Sequence, residues 1–219
     1  MPRQLFTARA GGISKGKFAS FNLATHVGDN EADVLSNRKS LAKLMSLERL
    51  EFMNQTHGNK VFRITNTATE IPEADAMVTT EKSIGLAVMV ADCLPILVDG
   101  NSVVAAIHAG RRGVTNGVIG KTIGLMVAQG AQKMRATIGP AICGKCYEVD
   151  EPTYREVISL FPEGDAGFRL IDIRRIAIKQ LKDLGCEVAN IDICTRENLE
   201  YFSYRRDNKT GRQVGVIAI

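Results

Sequence analysis

The chain of 219 residues has no tryptophan, 3 histidines, 6 prolines and 5% aromatic residues. It has no run of five like charges, which argues against a basic nucleic-acid-binding tail. The net charge of +4, with pI near 8.8, is mild and suits small anionic partners such as phosphates or nucleotides. The opening segment MPRQLFTARAGG carries no apolar core of a signal peptide. The most apolar stretch, Ile84 to Val98, is interrupted by Asp92 and Pro95 and is too short to span a bilayer. Neither GxGxxG nor a P-loop occurs, which argues against a Rossmann dinucleotide site or an NTPase. Internal repeats and low-complexity linkers are absent as well. These absences predict a cytoplasmic protein with neither nucleic acid nor membrane as partner; a monomer or homodimer with a small-molecule substrate is expected. Five cysteines, an odd number without an export signal, point to reduced thiols or metal ligands rather than disulfides.

What remains is ordinary globular material, 45% hydrophobic and 24% charged, enough for a sizeable core. Strands are predicted over 4–9, 50–54, 60–65, 76–79, 85–91, 94–98, 103–107, 135–138, 187–194 and 213–219. The runs GLAVMVA and LPILV are apolar at every step, as in strands buried on both faces. Asp99-Gly100 marks a hairpin between the second run and VVAAI, which leaves His108 just beyond a strand. Helices are predicted from Asp29 or Asn30 to Met45, from Thr115 or Asn116 to Ala128, from Glu151-Pro152 onward, and from Asp172 to Leu184. The irregular order of strands and helices predicts one α+β (mixed α/β) domain over residues 1–219, a mixed sheet with helices against its faces.

Each histidine lies near a glycine: His26-Val-Gly, His57-Gly and His108-Ala-Gly. Two of them, His57 and His108, combine with Cys93 into two imidazoles and one thiolate, a zinc ligand set that leaves a fourth position open. Copper accepts the same ligands. The competing readings are a Cys93 nucleophile with His108 as base, and a small buried core cysteine. Asp92, beside Cys93, either orients a ligand histidine from behind it or caps the turn at Pro95. Cys143-x-x-Cys146 looks like half a zinc ribbon. Cys186 and Cys194 supply no matching CxxC, so a structural four-cysteine site is not expected, and Cys146 is read as packing near the pocket.

The segments NQTHGNKV, ADAMVT, ADCLPIL, HAGRRG, GPAI…CYEV and FSYRRDNKTGR, in that order, resemble the YfiH-like family. That family was formerly labelled multicopper polyphenol oxidase or laccase-domain protein, and is now described as zinc-dependent purine nucleoside phosphorylase with adenosine deaminase activity. The resemblance implies a YfiH/cytotoxic-necrotising-factor-like fold. Its metal ligands match His57, Cys93 and His108. It implies phosphorolysis of adenosine, inosine and methylthioadenosine: phosphate attacks the ribose C1′ and the purine leaves. It also implies deamination, in which water activated by the metal attacks C6 of adenine.

Arginine forks suit phosphate, and Arg112, Arg205 and Arg206 are the candidates. Asn22 and His26, in NLATHVGDN, are candidates for the pocket wall, and Tyr147 and Phe202 for stacking on the purine. The family usually has tryptophan after HAG; here Arg111 stands in its place, exchanging an apolar wall for a charge. Three other functions compete with this reading. Copper-dependent polyphenol oxidation needs a histidine-rich trinuclear cluster as well as a blue-copper site, and three histidines are too few for both. A Cys/His amidohydrolase editing peptidoglycan precursors would use Cys93 as nucleophile. A partner-binding domain would leave the three residues without a purpose.

Overall fold

The computed structural model describes residues 2–67 and 70–219. In chain order, β1 (Arg3–Phe6) precedes α1 (Glu31–Leu44), β2 (Arg49–Glu51), β3 (Val61–Ile64) and β4 (Ala76–Thr79). Then come β5 (Ile84–Val90), β6 (Leu94–Asp99), β7 (Val104–Ala109), α2 (Arg111–Thr115), α3 (Val118–Ala128) and β8 (Arg135–Ile138). The remainder is α4 (Glu151–Leu160), β9 (Asp165–Gly167), β10 (Leu170–Ile171), α5 (Ile173–Asp183), β11 (Glu187–Asn190), α6 (Tyr204–Asp207) and β12 (Gln213–Ala218).

The mixed α/β reading holds, but the strands divide between two main sheets rather than one. One sheet has the order β1-β12-β5-β2 and the other β11-β8-β6-β7-β4-β3, while β9 and β10 form a separate hairpin. Both main sheets mix parallel and antiparallel pairs. Alternation along the strands shows how the layers stack. Leu86, Val88 and Val90 of β5 pack with Leu97 of β6 and with Val104 and Ala106 of β7 in a core between the sheets. The opposite face of β5, Ala87 and Met89, packs with Leu41 and Met45 around α1. The opposite faces of β6 and β7, including Ile96 and Ile107, pack with Ile119 and Ile123 of α3 and Ile176 of α5. The result is helix, sheet, sheet, helix, with the fully apolar runs explained by burial on both sides.

The helix starts follow local chemistry. The side chains of Asn30, Asp150 and Asp172 accept backbone N–H bonds at the first turns of α1, α4 and α5. The helix expected to start at Thr115 or Asn116 is instead two helices. HAGRRG runs straight into α2, and Gly117, with φ of 82°, turns the chain into α3. Strand β7 extends to Ala109, so His108 lies inside it, and β1 and β11 stop short of the expected ends at Arg9 and Cys194. The β6–β7 register pairs Leu94 with Ala109, Pro95 with His108 and Asp99 with Val104. Extending it sets Cys93 one step diagonal to His108 on the same face, with no bulge required.

Candidate metal centre and its cavity

The chain crosses from one sheet to the other through Ala91-Asp92-Cys93, between β5 and β6. That crossing puts Cys93 at the edge of the core between the sheets. His108 has the same parity along β7 as Val104 and Ala106, so it points into that gap and is buried. His57 arrives from the loop between β2 and β3. The donor atoms of His57, Cys93 and His108 all lie within 4.8 Å of one another. The two imidazole rings meet edge to face, with centroids 4.7 Å apart. Gly110 packs against the cluster: a Cβ on it would lie 3.1 Å from Cys93 Sγ and 3.3 Å from His57 Cδ2, so these side chains would have to shift by a few tenths of an ångström.

One buried carboxylate holds two of these residues. Asp75, fully buried at the start of β4, accepts backbone N–H bonds from His57 at 2.9 Å and Gly58 at 2.7 Å. The Thr56 hydroxyl adds a bond at 2.9 Å. The same carboxylate meets His108 Nδ1 at 2.8 Å. An ionised carboxylate only accepts, so Nδ1 carries the proton and Nε2 is free to act as a ligand. His57 has φ of 58° and Asp92 φ of 91°. Both are left-handed, a conformation rare for residues other than glycine and frequent at functional sites.

The electrostatics follow from these contacts. Burial alone would raise the Cys93 thiol, but the charge and hydrogen bond of His108, with help from His57, bring it down to about 6. Burial would likewise lower His108; the Cys93 thiolate and Asp75 override that and raise it to about 9. Asp75 feels its own desolvation, yet the bonds from His108, Gly58 and Thr56 hold it down at about 2. At neutral pH and without metal, the centre is a thiolate–imidazolium pair anchored on a carboxylate.

The centre opens into a cavity of about 520 Å³, within the range of small-molecule sites. Arg111, Arg112, Arg205 and Arg212 line it, with His26, Asp92 and Tyr147. The Arg205 guanidinium lies 5.1 Å from the Tyr147 ring centroid. Desolvation, then the charges of Arg212 and Arg38, lower His26, which leaves it neutral. The other sequence candidates lie elsewhere. Asn22 is fully buried and bonds to Ala24, to Asp29 and to the Arg212 backbone N–H, so it shapes the wall without facing the cavity. Arg206 spends its guanidinium on the carbonyls of Thr195, Arg196 and Tyr201 and on Asp207. Phe202 is core, stacked under Arg9.

Asp92 orients no histidine. Its carboxylate accepts from the Thr195 hydroxyl at 2.7 Å and from the Arg205 backbone N–H at 2.6 Å, tying the C-terminal segment to the Cys93 turn. The carboxylate that holds a histidine of this cluster is Asp75, not Asp92. Asp75 sits inside ADAMVT and Arg212 inside FSYRRDNKTGR, and neither is among the residues that motif spacing singles out. A carboxylate flanked by alanines ahead of an apolar strand is the signal that could have singled out Asp75.

The sequence profile of the family described as multi-copper polyphenol oxidoreductase laccase matches residues 3–219. A protein of Corynebacterium glutamicum named purine nucleoside phosphorylase is 42% identical, over 98% of this chain and 93% of its own. The chain belongs to the YfiH-like, laccase-domain family. Another relative of that name, from Streptomyces coelicolor, is 39% identical over 97% of this chain and 93% of its own. Among solved YfiH-like folds, a Neisseria meningitidis protein superposes with a TM-score of 0.91 at 35% identity, covering 100% of this chain and 94% of that one. The YfiH protein of Bacillus licheniformis gives 0.92 at 26% identity, covering 100% and 92%. Among the described residues, no helix is long and apolar enough to cross a membrane.

Proposed function

We propose that this YfiH-like chain is a zinc-dependent purine nucleoside phosphorylase that acts on adenosine, inosine and methylthioadenosine and also deaminates adenosine. The observation that carries this reading is the meeting, in one cavity, of a three-donor metal centre and four arginines. The donor set fits zinc: one thiolate, two imidazoles, a histidine whose second nitrogen is held by a carboxylate, and an open face. Zinc in that centre supplies a Lewis acid that polarises a substrate atom or lowers the pKa of water.

The chain's own residues do the rest. Arg112, Arg205 and Arg212, with Arg111, hold a phosphate dianion and orient it toward the ribose C1′. A phosphate oxygen bonds to C1′ as the C1′–N9 bond breaks, and the bond's electron pair leaves with the purine, which takes up a proton. Tyr147 offers a flat wall for the base, its ring backed by Arg205. Neutral His26, also on the cavity wall, offers a hydrogen bond. Asp75 keeps the His108 tautomer fixed throughout.

The test is turnover of the three nucleosides by metal-replete protein with and without phosphate, with free base and ribose 1-phosphate both quantified. Phosphate-dependent release of both supports the reading; release of base without phosphate, or no release, contradicts it. The thiolate–imidazolium pair also favours a second reading, Cys93 as a nucleophile in amide hydrolysis. Alkylation separates the two, since zinc shields a ligand Cys93 and leaves a free nucleophile exposed to reagent.

A further inference from the structure

Among the described residues, a second cluster gathers soft donors on the other side of the Asp92 turn. The Sγ atoms of Cys143, Cys146 and Cys194 and a carboxylate oxygen of Glu197 all lie within 4.8 Å of one another. From these contacts we infer a second metal site, a structural zinc held by Cys143, Cys146, Cys194 and Glu197. The expectation that no four-cysteine site forms is untouched, because the fourth donor is a carboxylate. No second CxxC is needed, because the fold brings Cys194 and Glu197 to the first.

The local backbone is built for it. The N–H groups of Cys146 and Tyr147 both donate to the Cys143 carbonyl, at 3.0 Å, closing a tight turn that puts two thiols on one side. The Cys143 N–H donates to Cys194 Sγ at 3.4 Å, and Cys146 Sγ donates to Glu197 Oε1 at 3.5 Å. A parallel bridge between Ala141 and Cys194 holds the two segments side by side. Gly144 lets the same turn pack against its other neighbours: a Cβ there would come within 2.7 Å of Asp172 Cβ and 3.0 Å of Ala166 Cβ.

Tetrahedral donors about 2.3 Å from zinc stand ~3.8 Å apart, so the cluster closes on the ion by a contraction of about 1 Å or less. Binding Zn²⁺ sends three thiol protons to solvent and leaves a site of formal charge −2, in a depression lined by Lys145 and Arg175 and also by Asp165, Asp172 and Asp192. Four protein donors leave no open position, the pattern of a structural zinc rather than a catalytic one.

The site would brace the cavity described above. Cys146 precedes Tyr147, which lines it. Cys194 precedes Thr195, whose hydroxyl holds Asp92, and Asp92 holds the Arg205 backbone. Arg196 closes the circuit by donating to the Cys146 carbonyl at 3.3 Å.

Metal counting under reducing conditions tests the site without reference to turnover. Wild-type protein is expected to hold two zinc ions per chain and Cys93→Ala to keep one. In Cys93→Ala loaded with cobalt(II), strong thiolate-to-cobalt charge-transfer absorption is expected, which needs no substitution within the new site. Cys146→Ser is expected to keep one zinc per chain and to melt at lower temperature than wild type. Metal-free Cys93→Ala, cobalt spectra without the thiolate band, or an intact mass 2 Da low that reveals a disulfide among these cysteines would overturn the inference. A single zinc that survives Cys93→Ala would uphold this site and count against the proposed catalytic centre; a single zinc lost with Cys93 would do the reverse.

Discussion

Two clusters built around cysteine lie on either side of the Asp92 turn, and they treat the thiol in opposite ways. In the His57–Cys93–His108 cluster the imidazoles bring the thiol down to about 6. In the Cys143–Cys146–Cys194–Glu197 cluster, burial first, then the neighbouring thiols, push Cys146 up to about 12. The first has three donors, a buried carboxylate behind them and an arginine-lined cavity in front. The second has four donors and no imidazole. Donor number and neighbours, rather than the presence of cysteine, distinguish a centre suited to chemistry from one suited to holding chain segments together.

The largest break in this comparison should come from Cys93→Ala. It is expected to lower phosphate-dependent turnover on the order of 10³-fold or more, the scale of losing a Lewis acid, measured in steady-state assays beside Cys146→Ser, which should lose far less because Cys146 braces the cavity without lining it. Next is Asp75→Asn, which removes the anchor of His57 and His108. Zinc affinity at the first centre should fall about 10- to 100-fold by competition with a chromophoric chelator.

The same substitution should show in the stability of the metal-free protein. The Asp75 carboxyl sits at about 2 when folded, against an ordinary 3.8. Its contribution, about 2 kcal/mol, is therefore fully present above 3.8 and is lost as pH falls through 2. Denaturant melts at pH 7 and pH 2 should show that acid-dependent component in the wild type and not in Asp75→Asn.

Arg112→Ala and Arg205→Ala should each raise the KM for phosphate about tenfold while kcat stays within roughly threefold, the worth of a charge-assisted hydrogen bond. An effect on nucleoside KM instead would move the anion site elsewhere in the cavity.

The smallest effect is one of protons. At neutral pH Cys93 is already a thiolate and His108 still holds the proton that a ligand imidazole must lose. Zinc loading at the first centre, followed in Cys146→Ser, should release about one proton per chain between pH 6 and 9. The release should fade above 9 and grow below 6, where Cys93 must also be deprotonated. Calorimetry in buffers of different ionisation enthalpy reads it directly.

Much of this molecule was legible in its sequence, and the residues show why. Caps such as Asn30 and Asp172 act on N–H groups two or three positions away, so the helices α1 and α5 could be placed by local rules. The trio of His57, Cys93 and His108 stood out by chemistry, since histidines are so few. The division into two sheets was not legible, because a strand apolar on both faces does not say which layer lies on which side. Asp75 escaped for a different reason: its meaning comes from His108, 33 residues on. The second cluster was judged from CxxC spacing, which cannot register that Cys194 lies against Cys143 from 51 residues away. Arg206 shows the opposite case, a guanidinium in the FSYRRDNKTGR motif that serves the carbonyls of Thr195 and Tyr201 instead of the cavity.

The central claim is that metal at His57, Cys93 and His108 is the seat of phosphorolysis, and a titration tests it most directly. Metal-free Cys146→Ser protein is titrated with zinc while phosphate-dependent release of hypoxanthine from inosine is followed. The account predicts turnover that rises from baseline in proportion to bound zinc and reaches its plateau at one ion per chain. Full turnover before any zinc is added, or a protein that fills with zinc and remains inactive, would contradict it.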